Sequence, residues 1–298
     1  VDAPRPIHKT SPISLEEFQP GYLKPLSYSQ EEISNVIIKH ISRKAEDLTD
    51  RQREGIARFK YQGSWNLANP ENIHDLRKFF DIFNDVFFNG VLTGYCQIEV
   101  VESDWAAFRY SRELRGICTP VHPGKELDTR FRIDKPLSII SITKWCNSEP
   151  ATQRILLHLE TLVHEMLHAV FLLFTCDCGY GCRKIYPDMG HHIYWQAAAR
   201  AIEKADVVRG NLLGLNLDWC RDFIMASDVE KGIPLPNDVV LRSLGLSIDK
   251  IWDKMKVIRQ RRANPWYNRG LAKRKKMLLH ESPGLRANRC IRSKWIID

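Results

Sequence analysis

The sequence predicts an α+β fold in which a small three-stranded sheet is surrounded by helices. Three observations carry this. Residues 73–88 place Leu76, Phe79, Phe80, Phe83 and Phe87 at helical spacing, an apolar stripe that needs a core to bury it. Three short β-rich runs follow, over 95–101, 116–121 and 137–145. A long helical pattern then covers residues 151–174.

The remaining elements fall around these. Residues 1–27 hold Pro4, Pro6, Pro12, Pro20 and Pro25 and predict an extended or disordered lead. Helices over 29–41 and 47–61 make a helical N-terminal extension, residues 28–66, with Ile33, Val36, Ile37 and Ile41 on one face of the first. Asn72 is placed to cap the 73–88 helix, and Asn89-Gly90 to end it. The polar stretch 123–135 suits a hairpin loop or an exposed connection. A further helix is expected over 190–205, which closes a central domain spanning 67–206. Beyond it the pattern weakens. Within a basic, partly helical C-terminal region, 207–298, only 247–263 reads as an amphipathic helix, striped by Ile248, Ile251, Trp252, Met255 and Ile258.

Composition narrows the class. The chain is 44% apolar and 27% charged, as globular proteins are. Its longest unbroken apolar run, Ala169 to Phe174, is far shorter than a membrane span, so no transmembrane helix is expected. The net charge of +8 is uneven. Residues 250–298 carry 15 Lys and Arg against 3 Asp and Glu, a net +12, which leaves −4 on the preceding 249. The eight cysteines are mostly scattered singly, and no Asn-x-Ser/Thr acceptor occurs; both features favour an intracellular chain with reduced thiols. The chain opens on Val1, so a processed and secreted protein is the alternative.

The segment with the most chemistry is His164-Glu165-Met166-Leu167-His168. Positions i and i+4 of a helix lie about 40° apart around its axis, so both imidazoles face one side and can share one Zn²⁺. Glu165 stands beside them as a general base rather than a ligand. Leu159, Leu162, Val163, Leu167, Val170 and Phe171 surround the motif with apolar bulk. A catalytic zinc takes a third protein ligand and keeps one position open. His191 and His192 are the nearest candidates. His191 shares a helical face with Trp195, Ala198 and Ile202, whereas His192 shares one with Gln196, Ala199 and Glu203, so the pattern favours His191.

Several of these segments resemble the SprT-like zinc metalloproteases, the Spartan-like HExxH enzymes. The run Phe83-Asn84-Asp85-Val86-Phe87-Phe88-Asn89-Gly90-Val91-Leu92 is similar to their opening helix. Gly116-Ile117-Cys118 and Ile139-Ile140-Ser141-Ile142 resemble their central sheet. His164-Glu165-Met166-Leu167-His168-Ala169 resembles their zinc helix, and Gly190-His191-His192 ahead of Trp195 their Gly-His-Gly third-ligand segment. The resemblance covers about residues 73–205. It implies a zincin-like catalytic domain and a zinc endopeptidase, in some members one that cleaves proteins crosslinked to DNA. Two features differ: His192 stands where the family has its second glycine, and no Cys-x-x-Cys ribbon follows the domain.

Two other segments are open to more than one use. Cys176, Cys178 and Cys182 could hold a second, structural zinc with Cys220 as a fourth ligand, form a disulfide in a secreted chain, or stay free. The tail carries Lys273, Arg274, Lys275 and Lys276 among further arginines, with Trp266, Tyr267 and Trp295 interleaved. Such a segment suits contact with nucleic acid, a nuclear import signal, or a plain solvated basic face. The expected function is therefore zinc-dependent hydrolysis of peptide bonds in protein substrates, with DNA as an expected partner through the tail. A secreted protease and a non-catalytic binding module are the alternatives. Tyr194 and His192 are candidates for oxyanion stabilisation by position alone.

Overall fold

Local capping chemistry starts the first helices. In the computed structural model, which describes residues 12–102, 115–121, 137–144, 150–176, 191–208 and 212–263, Ser29 and Glu32 form a reciprocal capping box that opens α1 (Gln30–Ile41). Thr49 and Gln52 do the same for α2 (Asp50–Gln62). Each cap contributes about 1 kcal/mol. Asn72 caps α3 (Ile73–Phe88) as its sequence position predicts. Asn89 at φ 49° and Gly90 at φ 79° end that helix in the left-handed region. The aromatic stripe of α3 is core: Phe79, Phe83 and Phe87 follow one another at ring-centroid distances of 5.9 Å, and Trp65 stacks on Phe79 at 5.1 Å.

The sheet contains β1 (Cys96–Val101), β2 (Gly116–Val121) and β3 (Leu137–Thr143) in the order β1-β3-β2. The central strand β3 pairs parallel with β1 and antiparallel with β2. Its Ile140 and Ile142 are wholly buried. Pro120 interrupts hydrogen-bonding capacity in β2, which is tolerated where β2 is, among the described residues, an edge strand. The protein is thus a mixed α+β fold with eight α-helices and this small sheet among the described residues.

Across β2, β3 and α3 lies α4 (Ala151–Phe174), whose Leu162, Val163, Met166, Leu167 and Val170 are fully buried. By length and composition α4 would suffice to cross a membrane, but 67% of its most apolar window is buried inside the protein, as for a core helix. Next comes α5 (Ile193–Val208), which packs on α1 and α4.

One expectation about the flanks needs correction. From residue 12 onward the proline-containing lead is packed: Ile13, Phe18 and Leu23 belong to the main core. Its end also closes α4. The last carbonyls of a helix lack intrahelical partners; here Leu26 N–H donates to Leu173 O at 2.9 Å, and Ser27 and Tyr28 N–H donate to Phe174 O at 3.0 Å. Beyond residue 206, where the sequence pattern fades, the chain keeps contributing to the core through Leu213, Leu217 and Trp219. It then forms α6 (Arg221–Glu230), α7 (Asp238–Ser243) and α8 (Ile248–Ala263). Met225, Ala226, Leu241, Leu244, Ile251, Met255 and Ile258 make a second core between them. Deleting everything from residue 250 would therefore remove part of a core and not only a tail.

Candidate metal centre

Two of the three candidate ligands are set by one helix. On α4, His164 and His168 are a turn apart, and their Nε2 atoms lie 3.2 Å from each other. His191, one residue short of the N-cap of α5, brings its Nε2 to 3.1 Å from both. Of the candidate third ligands, the fold brings His191 to the pair. Three imidazole nitrogens converging in this way leave their lone pairs pointed at one another, and only a shared cation or proton relieves that. A tetrahedral ion with metal–nitrogen bonds of about 2.0–2.1 Å spaces its ligands by about 3.3 Å. The observed triangle fits such an ion, so His164, His168 and His191 could hold a metal.

Trp195 forms the floor of the site. Its ring, fully buried, sits 4.5–5.2 Å from all three imidazoles by centroid, and nearly stacks on His168. Trp219 closes the side next to His164 at 5.6 Å, with its indole N–H on Glu160 O. This enclosure disfavours protonation. Burial, and then the neighbouring imidazoles, push His164 and His168 well below the usual histidine range. Neutral rings are the form a metal binds.

Glu165 is buried on the sheet side of α4. Burial pushes its carboxyl up to about 8, against a hydrogen bond from the Cys118 backbone that favours the ionised form. Without a cation nearby, Glu165 keeps its proton at neutral pH; a cation at the three imidazoles favours the carboxylate. Room for this side chain comes from Gly116 at the start of β2. A Cβ there would lie 2.6 Å from Thr161 Cγ2 and 2.8 Å from Glu165 Cγ. Gly116→Ala should therefore destabilise the fold by about 1–3 kcal/mol through overpacking. Thr161→Ser, which deletes the clashing methyl, should recover part of that loss in the double variant. Thermal unfolding of the three variants checks this, and a Gly116→Ala protein as stable as wild type would show that α4 and β2 yield easily here.

His192 takes a different role from His191. It is buried against the edge of Phe171, and its Nδ1 accepts the Trp195 backbone N–H at 3.2 Å. Its carbonyl accepts from Gln196 N–H. His192 is the N-cap of α5, which explains why that helix starts at 193 and not at 190. Tyr194 reaches away, to Glu31 on α1 at 3.4 Å. Cys176 is buried at the end of α4, its backbone N–H on Tyr28 O, and Cys220 is exposed before α6. Cys178, Cys182, Lys273, Arg274, Lys275 and Lys276 lie outside the described residues.

One residue of the site escaped sequence reasoning altogether. Asp228 on α6 accepts both the backbone N–H of His191 at 2.9 Å and its ring Nδ1 at 3.2 Å, through the same Oδ2. Burial alone would raise its pKa, but His191 and Lys231 outweigh that and hold the carboxyl below the usual range. No motif marks it, since it stands 37 residues beyond its partner in a helix without a capping signal. Comparison with protein-family models, curated proteins and solved structures finds no match to this chain.

Proposed function

We propose that this protein is a zinc metallopeptidase with a zincin-like catalytic centre of the SprT-like kind. The observation that carries the reading is the three-histidine triangle with Glu165 adjacent on the same helix and buried beside an edge strand. A site built only for structure would need no carboxylate there. His164, His168 and His191 would hold the ion, which supplies Lewis acidity toward water and toward a carbonyl oxygen. Glu165 takes the proton of the attacking water and passes it to the leaving amine. Its burial makes it a stronger base than an exposed carboxylate once ionised. Among the described residues, β2 pairs on one side only, so an extended peptide could lie along its other edge, next to Glu165.

Proteins bound to DNA are the proposed substrates. That part rests on the resemblance and on the +12 charge of residues 250–298. The test is hydrolysis of an unstructured protein by the purified chain, with and without single-stranded DNA. Stripping metal with a chelator should abolish cleavage, and stoichiometric Zn²⁺ should restore it. Cleavage that survives chelation would overturn the metallopeptidase reading. Cleavage and binding that both ignore DNA would remove the DNA-linked part alone.

A further inference from the structure

We infer that Asp228 is the positioning residue for His191, and that α6–α8 thereby complete a metal site whose other two ligands lie on α4. The inference rests on the reading of the three histidines as metal ligands. His164 and His168 are held by the hydrogen-bonded backbone of α4. His191 has no such support, because α5 begins only at Ile193. What fixes it is Asp228, which binds its backbone N–H and its ring at once.

The ring contact also selects a tautomer. A carboxylate accepts only, so Nδ1 of His191 must carry the proton and donate it. That leaves the Nε2 lone pair directed at His164 and His168, as metal binding requires. Asp228 itself cannot ligate the same ion, since Nδ1 and Nε2 lie on opposite sides of the ring. Burying a carboxylate to 4% exposure is costly unless it is hydrogen-bonded, and the partners at Oδ2 are both groups of His191. The carboxylate is in turn placed by packing. Met225 and Ala226 on α6 are buried against Ile251, Met255 and Ile258 of α8, and Arg259 Nε meets Glu230 at 2.8 Å. The same core takes in Ile193 and Ala197, so it also braces the first turns of α5. These helices therefore act on the third ligand from two sides.

The experiment uses the full chain with Zn²⁺ as the only added ligand. In wild type with ¹⁵N-labelled histidine, NMR should find metal-free His191 as the Nδ1–H tautomer. The Nε2–H tautomer, or rapid averaging between the two, would overturn the inference without any variant. Asp228→Asn keeps shape and an acceptor oxygen but loses the charge; its Zn²⁺ affinity in chelator competition should fall about 10- to 100-fold. Asp228→Leu should additionally release the tautomer. Folded variants, by circular dichroism, with wild-type Zn²⁺ affinity would show that Asp228 only stabilises the fold. Should they fail to fold, the wild-type tautomer decides. His191→Ala is the parallel control. If it binds Zn²⁺ as wild type does, the metal site itself is misassigned. If it loses Zn²⁺ while the folded Asp228 variants do not, only the positioning role falls.

Discussion

His191→Ala should leave the purified protein with almost no bound metal, whereas His192→Ala should keep close to one ion per chain. The two residues are adjacent in sequence, but their rings do different work. His191 closes the nitrogen triangle at 3.1 Å from both of its partners. Removing one ligand of three leaves two imidazoles, too few to hold zinc through dialysis. The ring of His192 accepts a backbone N–H at the start of α5 and packs on Phe171. Its loss costs a cap, about 1 kcal/mol, and some packing. The variant should melt earlier and still hold its metal. Elemental analysis after dialysis, run beside thermal unfolding, separates the two effects. Metal loss in the His192 variant with retention in the His191 variant would refute the assignment of the third ligand.

Glu165→Gln should lower kcat by about 10²–10⁴ while leaving the metal content unchanged. Gln is nearly isosteric and keeps an oxygen for the Cys118 backbone, but it cannot take a proton from water at neutral pH. Because Glu165 is not one of the three converging ligands, metal binding should not depend on its charge. The metal-free variant should be at least as stable as metal-free wild type, since an amide escapes the burial penalty that pushes the carboxyl up to about 8. Kinetics on an unstructured substrate and elemental analysis on the same preparation check both statements. Near-normal turnover in a fully metal-loaded Glu165→Gln protein would exclude Glu165 as the base.

Most of the elements are legible in the sequence because their signals are local. Asn72, the Phe79-Phe83-Phe87 stripe and Asn89-Gly90 each act within one helix, so the bounds of α3 follow without knowledge of any distant contact. The spacing of His164 and His168 works the same way, since a helix converts four residues of sequence into one face. His191 is separable from His192 on periodicity, although the physical reason is different: His192 is buried too, and it is capping that removes it from the site.

What the chain determines by itself, then, is where most of its helices and strands lie and which helix carries the ligand pair. The tertiary structure alone decides the rest. The lead packs because Leu173 and Phe174 present carbonyls that α4 cannot satisfy, a demand that arises some 150 residues away from the segment that meets it. Gly116 is needed because β2 runs against Thr161 and Glu165, an approach set by the sheet and not by its own neighbours. The start of α6 is hidden because Cys220 enters it at φ 50° with no capping side chain, and α7 is too short for a periodic pattern. With α6 unseen, Asp228 could not be connected to His191. Hydrogen bonds between distant elements depend on where loops and cores deliver each backbone, and that information is spread over many contacts rather than written at either residue.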